Sequence, residues 1–299
     1  MILNPLITII IPTYNMAALL KDAINSVLSQ TYQNWELLII DNFSTDNTIE
    51  VINNFEDTRI KTFQLNNNGS IAISRNYGIK KALGDWIAFL DSDDIWYSNR
   101  LTTILNNLNL KDPPDLITTN EILKNFDTGY SKKLLYGRKL VDNLYESLLF
   151  YGNLFSPSST LVRKKFIIKN SLLFRENKKF ITVEDYDYWL LIAKHNPKVM
   201  SLDTIQGEFR VHRFNNSKTN KLHSQNIKNV ITDHIQSMQL SPKKKNKLIF
   251  NIETRLSLTQ AKLLYLNTNR IKFFRIVILL FLNNPIFITR YLLLKLFRN

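Results

Sequence analysis

Four short apolar runs alternate with helical patterns in the first hundred residues, and three of them end in polar or acidic groups. Leu6–Ile11 is a continuous, Ile-rich run of the kind a buried parallel strand requires. Leu20, Ala23, Ile24, Val27 and Leu28 follow at helical spacing. Trp35–Ile40 reads as a second strand, and Asn47 with Glu50 has the spacing of a capping box opening the next helix. Arg59–Leu65 alternates as a third strand, Ser70–Leu83 reads as a helix stopped by Gly84, and Asp85–Leu90 is a fourth strand. Such alternation predicts an α/β fold with a mostly parallel sheet, right-handed crossovers and flanking helices. Ligands of these sheets bind beyond the carboxyl ends of the strands. Those ends carry Pro12-Thr13-Tyr14-Asn15, Asp41-Asn42 and Asp91-Ser92-Asp93-Asp94.

Later segments are less regular. Asp115–Asn120 and Phe155–Val162 read as strands, Arg138–Tyr151 and Glu184–His195 as helices, and Val199–Val211 as a hairpin or two short strands. From about Lys218 helical patterns rich in Lys, Asn and Leu take over. The expected organisation is a catalytic domain over 1–217, split into a donor-binding half (1–100) and an acceptor-binding half (101–217), followed by a helical extension over 218–299.

Three carboxylates within four residues repel one another unless a cation offsets them. Asp91, Asp93 and Asp94 therefore suggest a Mg²⁺ or Mn²⁺ site shared with phosphate oxygens, and a helix-capping cluster ahead of Ser98 is the bland alternative. The chain has no cysteine, which excludes disulfides, thiolate metal sites and cysteine nucleophiles. It fits a reducing compartment.

Five pieces, in order, resemble the family 2 glycosyltransferases. Ile9-Ile10-Ile11-Pro12-Thr13-Tyr14-Asn15 is similar to their opening strand and donor loop, and Ser26-Val27-Leu28-Ser29-Gln30-Thr31-Tyr32 to the end of their first helix. Asp41-Asn42-Phe43-Ser44-Thr45-Asp46 resembles their Asp-Asp-Gly-Ser-Thr-Asp motif, with Asn42 and Phe43 in place of an acid and a glycine. Asn68-Gly69 with Arg75-Asn76 and Gly78 resembles the segment before the metal motif, and Ala88-Phe89-Leu90-Asp91-Ser92-Asp93-Asp94 resembles that motif. The likeness is strong over residues 6–100 and weaker to about 217.

The resemblance implies a GT-A type fold and assigns roles by position. Pro12, Thr13, Tyr14, Asp41, Arg75, Asp91 and Ser92 would form the donor site, with Thr13 and Asp41 on the base. Asp91 would face the ribose or the metal, and Asp93 would bind the metal directly. Asp46 reads as a helix cap. Within Glu184-Asp185, where two acids also complement a helix dipole, the family places its catalytic base; Asp185 takes that role here, with Glu184 beside it and Asp187 as the nearest competitor. Gly207-Glu208-Phe209-Arg210-Val211-His212, followed by Asn216-Ser217, resembles the element that closes many catalytic domains of the family. It implies His212 as a ligand of the metal or diphosphate; a lone histidine is otherwise structural.

The implied reaction is metal-dependent, inverting transfer of a hexose or N-acetylhexosamine. The donor would be a nucleotide sugar, a UDP-sugar first. The acceptor would be a glycan hydroxyl, carried on a polyprenyl diphosphate lipid, in O-antigen or capsule assembly. A sugar-phosphate nucleotidyltransferase is a weaker alternative, because the first strand lacks a glycine- and basic-rich phosphate loop. A non-catalytic, membrane-attached nucleotide- or carbohydrate-binding protein is another.

The formal charge of +14 asks for an anionic partner. No nucleic-acid motif accompanies it. Ile271–Asn299 mixes apolar and basic residues around Pro285, a pattern suited to helices lying on an anionic membrane surface, with packing on the catalytic domain as the alternative. No signal peptide and no apolar run of about 18 residues is expected to take the chain across a membrane. The expected location is the cytoplasmic side, peripheral on the inner face of the membrane.

Overall fold

Strand β1, Ile7–Thr13, has all seven residues buried and pairs on both edges in the computed structural model of this chain. Residues 4–108, 111–136, 143–212, 221–266 and 270–296 are described. The described chain divides into two compact units, residues 1–218 and 219–299.

In the first unit β1 pairs in parallel with β2 (Trp35–Asp41) on one side and β4 (Trp86–Phe89) on the other, and β2 pairs in parallel with β3 (Ile60–Gln64). Helices α1 (Ala17–Leu28), α2 (Thr48–Asn53) and α3 (Ile71–Lys81) make the crossovers. Ile9, Ile11, Leu37, Ile39, Ala88 and Leu90 meet Leu20, Ile24 and Val27 of α1 in one core. Each such aliphatic side chain contributes about 1.5–3 kcal/mol when fully buried, and buried continuity on β1 and β2 is what the apolar runs encode. This half is the parallel sheet expected.

Beyond β4 the sheet becomes mixed. With β5 at Ile95–Trp96, β6 at Leu116–Asn125, β7 at Ser131–Leu134, β8 at Thr160–Arg163 and β9 at Val199–Val211, its order is β3-β2-β1-β4-β8-β6-β9-β5, with β7 also on β6. Strand β8 runs antiparallel to both β4 and β6, while β9 runs parallel to β6. The remaining helices of this unit are α4 (Arg100–Asn106), α5 (Leu144–Tyr151), α6 (Lys164–Lys169) and α7 (Glu184–Ala193).

Several local expectations need correction. Val199–Val211 is one strand, not a hairpin: register shifts at Thr119/Asn120 and Asn120/Ile122 let it follow β6 along its whole length. Phe155–Val162 is strand only from Thr160, because Pro157–Ser159 forms a 3₁₀ turn. The capping box of Asn47 and Glu50 does not form, as the Asn47 side chain makes no cap bond. Asp46 takes over: it accepts from Thr48 N at 3.0 Å and from Ala17 N at 3.3 Å, tying the starts of α1 and α2 together. Helix α3 stops at Lys81, before Gly84. Gly84 instead lies against β1, where a Cβ would stand 2.6 Å from Thr8 N and 2.7 Å from the Leu6 carbonyl. The first part of the helix expected over Arg138–Tyr151, residues 138–142, and Asn216-Ser217 lie outside the described residues.

The second unit contains α8 (Lys221–Gln236), α9 (Pro242–Leu266), α10 (Arg270–Asn283) and α11 (Pro285–Leu296). Among the described residues no helix is long and apolar enough to cross a membrane. Lys243 and Lys244 lie exposed in the first turn of α9.

Candidate active site

The parallel strands deliver their polar ends to one edge. Thr13 and Asp41 are register partners at the ends of β1 and β2, and both are buried. The Asp41 carboxylate accepts from Ser44 N at 3.1 Å and Gln64 Nε2 at 3.2 Å. Thr13 Oγ1 is buried and has no hydrogen-bond partner. A buried hydroxyl left unmatched costs free energy that a ligand atom can recover. The two loops are stitched together: Asn42 N donates to the Thr13 carbonyl at 3.0 Å, Asn15 N to Ser44 Oγ at 2.9 Å, and Thr45 N to Asn15 Oδ1 at 2.8 Å. Pro12 lies buried within β1, whereas Tyr14 is 51% exposed.

Asp91 lies two residues beyond the end of β4. Its Oδ1 accepts from Arg75 Nη2 at 2.6 Å, and Arg75 is itself buried on α3. Burial works against the Arg75 charge, but Asp91, Asp185 and Glu184 overcome it and raise its pKa. One buried guanidinium thus pairs with Asp91 and is held charged also by Glu184 and Asp185, more than ninety residues further along the chain. The Asp91 carboxyl is raised, first by burial and then by Asp93 and Asp185, against the opposing effect of Arg75.

Ser92 is buried, and Asp93 Oδ2 lies 3.0 Å from Nε2 of His212 at the end of β9. Asp94 plays a different part from its neighbours. It is buried, accepts from Ser158 Oγ at 2.5 Å and from Arg210 N at 2.9 Å, and so fastens the acidic turn to β9. Ser158 Oγ also accepts from Asp91 N at 3.1 Å. Burial, then the charges of Asp93, Glu121 and Asp91, lift the Asp94 carboxyl well above its ordinary range. The capping alternative for this cluster fails: α4 begins at Arg100 with Asn99 at its cap and no acid in its first turn.

Glu184 and Asp185 open α7. Glu184 is buried, and that burial pushes its carboxyl up to about 7. Asp185 is only partly buried and accepts from Asn153 Nδ2 at 2.8 Å. Asp187 is fully buried and ion-paired with Arg175, whose Nε donates to its Oδ2 at 2.9 Å. That pairing commits Asp187 to holding α7.

The donor set at Asp91, Asp93 and His212 suits a hard divalent cation, for which carboxylate oxygens and an imidazole are ordinary ligands. The raised carboxyls of Asp91 and Asp94, each lifted by burial and by Asp93, fit the same need, since positive charge there would relieve them. Among the described residues no three such side chains stand together as a ready-made cage.

Sequence reasoning missed Asn153, Ser158 and a buried pair beneath the acidic turn. Glu121 on β6 is fully buried and pushed up to about 7 by that burial, with Arg100 opposing the rise. Arg100, also fully buried, donates to Thr119 Oγ1. No local pattern marks these residues, because their partners are distant in sequence.

A parallel half-sheet with an acidic carboxyl edge, continued by a mixed half that brings in a histidine and a helix-borne acid pair, defines a GT-A type transferase fold. Solved structures agree on the fold: Staphylococcus aureus TarS 1–349 in complex with UDP-GlcNAc superposes with a TM-score of 0.62 at 20% identity, over 83% of this chain and 72% of that one. The mannosyltransferase PcManGT of Pyrobaculum calidifontis, in complex with GDP-Man and Mn²⁺, gives 0.61 at 17% identity, over 86% and 71%. The profile of Glycosyl transferase family 2 matches residues 8–168, and the chain belongs to that family. Among its relatives is the Escherichia coli UDP-Glc:alpha-D-GlcNAc-diphosphoundecaprenol beta-1,3-glucosyltransferase WfgD, 35% identical over 64% of this chain and 71% of the relative. The protein is therefore a glycosyltransferase.

Proposed function

We propose that this glycosyltransferase moves a hexose or N-acetylhexosamine from a nucleotide sugar, a UDP-sugar first, onto a hydroxyl of a polyprenyl-diphosphate-linked glycan in surface-polysaccharide assembly, inverting the anomeric carbon. The observation that carries the reading is Arg75. Its buried guanidinium pairs with Asp91, and its pKa is raised also by the charges of Asp185 and Glu184, which supports a site shared by donor-binding and proton-accepting groups. The names of relatives such as WfgD and WfaP of Escherichia coli, each a UDP-Glc:alpha-D-GlcNAc-diphosphoundecaprenol glucosyltransferase, support the donor and the lipid carrier.

Thr13 and Asp41 hold the nucleobase, flanked by Pro12 and Tyr14, and Ser92 lines the donor site. Asp185 accepts the proton of the acceptor hydroxyl, with Asn153 fixing the orientation of its carboxylate. The hydroxyl oxygen attacks the anomeric carbon from the face opposite the diphosphate. The new C–O bond forms as the old one breaks, and no enzyme nucleophile is involved. Asp91, Asp93 and His212 would hold Mn²⁺ or Mg²⁺, and such an ion, when bound, offsets the negative charge of the leaving diphosphate.

The acceptor also gives a purpose to the tail. Ile271, Phe274, Ile278 and Leu282 recur at helical spacing on α10, and all are exposed. Arg270, Lys272 and Arg275 are exposed on the same helix, and no acid follows Glu253 in the chain. An apolar face with cations beside it fits the interface of an anionic membrane. We place the enzyme there, peripheral on the inner face, with residues 1–217 as the catalytic domain and 218–299 as the membrane-associating extension. Flotation with phosphatidylglycerol vesicles tests this: the wild type is expected to float and I278D/L282D to stay behind, and equal recovery of both overturns it.

The catalytic reading is tested by thermal unfolding with UDP, GDP, dTDP or CMP, with and without Mn²⁺. A nucleotide at about 100 times its dissociation constant stabilises the fold by about 2.7 kcal/mol. Stabilisation by one nucleotide that requires Mn²⁺ is expected. Transfer from that nucleotide's sugar, followed by NMR, should give the inverted anomer; a retained configuration refutes the single displacement.

A further inference from the structure

Phe43 stands where the related motif has glycine, and the backbone there still has the conformation that glycine favours. Its φ is +52°, in the left-handed region that an aromatic residue rarely adopts. The turn imposes that conformation from both sides. Asn42 N is held by the Thr13 carbonyl at 3.0 Å, and Ser44 N by the Asp41 carboxylate at 3.1 Å. The ring gives the fold little in return, since Phe43 remains 54% exposed. Strain without compensating burial points to a use outside the fold. The position says which use: Phe43 is two residues beyond Asp41, at the strand end where Thr13 Oγ1 lies buried without a partner.

We infer that Phe43 is a donor-recognition residue of this chain, its ring providing an aromatic face on which the nucleobase of the donor stacks. The inference rests on the nucleotide-sugar reading above. A base has a flat π-face whatever its identity, and aromatic stacking is worth roughly five- to 150-fold in affinity per base. The phosphates gain nothing from such a ring, so the contribution must appear only for ligands that carry a base.

Calorimetric titration of the wild type and of F43L, F43G and F43W with UDP and GDP, and with pyrophosphate as the base-free probe, all with MnCl₂, tests this. F43L and F43G are expected to bind the preferred nucleotide about tenfold or more weakly, with pyrophosphate affinity unchanged and F43W close to wild type. F43G is expected to unfold at a higher temperature than the wild type, which separates lost stacking from a damaged turn. Nucleotide binding by F43L within about twofold of wild type overturns the inference. An equal loss for nucleotide and pyrophosphate also overturns it, since that would be distortion of the loop. Failure of the wild type to bind either nucleotide would instead remove the donor site itself, and the role of Phe43 with it.

Discussion

Replacing Glu121 by Gln should change how the stability of the catalytic unit depends on pH. The Glu121 carboxyl is fully buried, and burial raises its pKa from an ordinary 4.5 to about 7, even with Arg100 opposing the rise. Below pH 4.5 the group is protonated in the folded and unfolded chains alike and has no effect. As pH rises from there the unfolded chain ionises first, so the folded state binds the extra proton and loses stability. Above about 7 the loss is complete. The gap between the two values corresponds to about 3 kcal/mol, of which about 2 kcal/mol develops between about pH 5.5 and about pH 8. Gln mimics the protonated acid in shape and charge, so E121Q should lack this component. Glu184, also held near 7, titrates in the same range, which makes the difference between variant and wild type the quantity to read. All four tryptophans, at positions 35, 86, 96 and 189, lie in the first unit, so their fluorescence during urea unfolding reports on that unit. E121Q should gain about 2 kcal/mol on the wild type between the two pH values. An identical pH dependence would refute the reasoning: Glu121 would then be ionised in the fold throughout, with its attraction to Arg100 outweighing its desolvation.

Three further outcomes follow from the same contacts. D185N should lower turnover by about 10²–10⁴-fold while leaving nucleotide affinity unchanged, read by comparing a transfer assay with calorimetry. D93A should abolish the Mn²⁺-dependent part of the thermal shift given by the preferred nucleotide, while keeping any shift seen without metal. D46A removes a cap shared by α1 and α2 and should cost about 1–2 kcal/mol in urea unfolding, without altering the Mn²⁺ requirement.

Much of the parallel half of the sheet is legible in the order of its residues. Apolar runs too continuous for a solvent-facing strand identify β1, β2 and β4, and the acids at their ends fall on one edge because parallel strands all point the same way. Asp46 is also readable as a cap of α2, since Thr48 N lies only two residues on. The expected cap at Asn47 fails by one residue, because Asp46 reaches two helix starts at once. Gly84 reads as a helix stop, yet its smallness serves contact with β1, a neighbour seventy-odd residues earlier.

The sequence alone determined the segments of the parallel half and their chemistry: where its strands lie, that Asp91 and Asp93 come just after one of them, and that Glu184 and Asp185 begin one helix. These properties depend on periodicity and on residues within a turn of each other, so a linear reading recovers them. The tertiary structure decided how those groups are divided among tasks. It bonded the buried Asp94 to Ser158, placed His212 against Asp93, and paired Asp187 with Arg175 and Arg75 with Asp91. It also joined β9 to β6 as one bulged strand. Each of these outcomes depends on desolvation and on a partner brought close only by chain folding, and neither quantity is written in the spacing of residues along the chain.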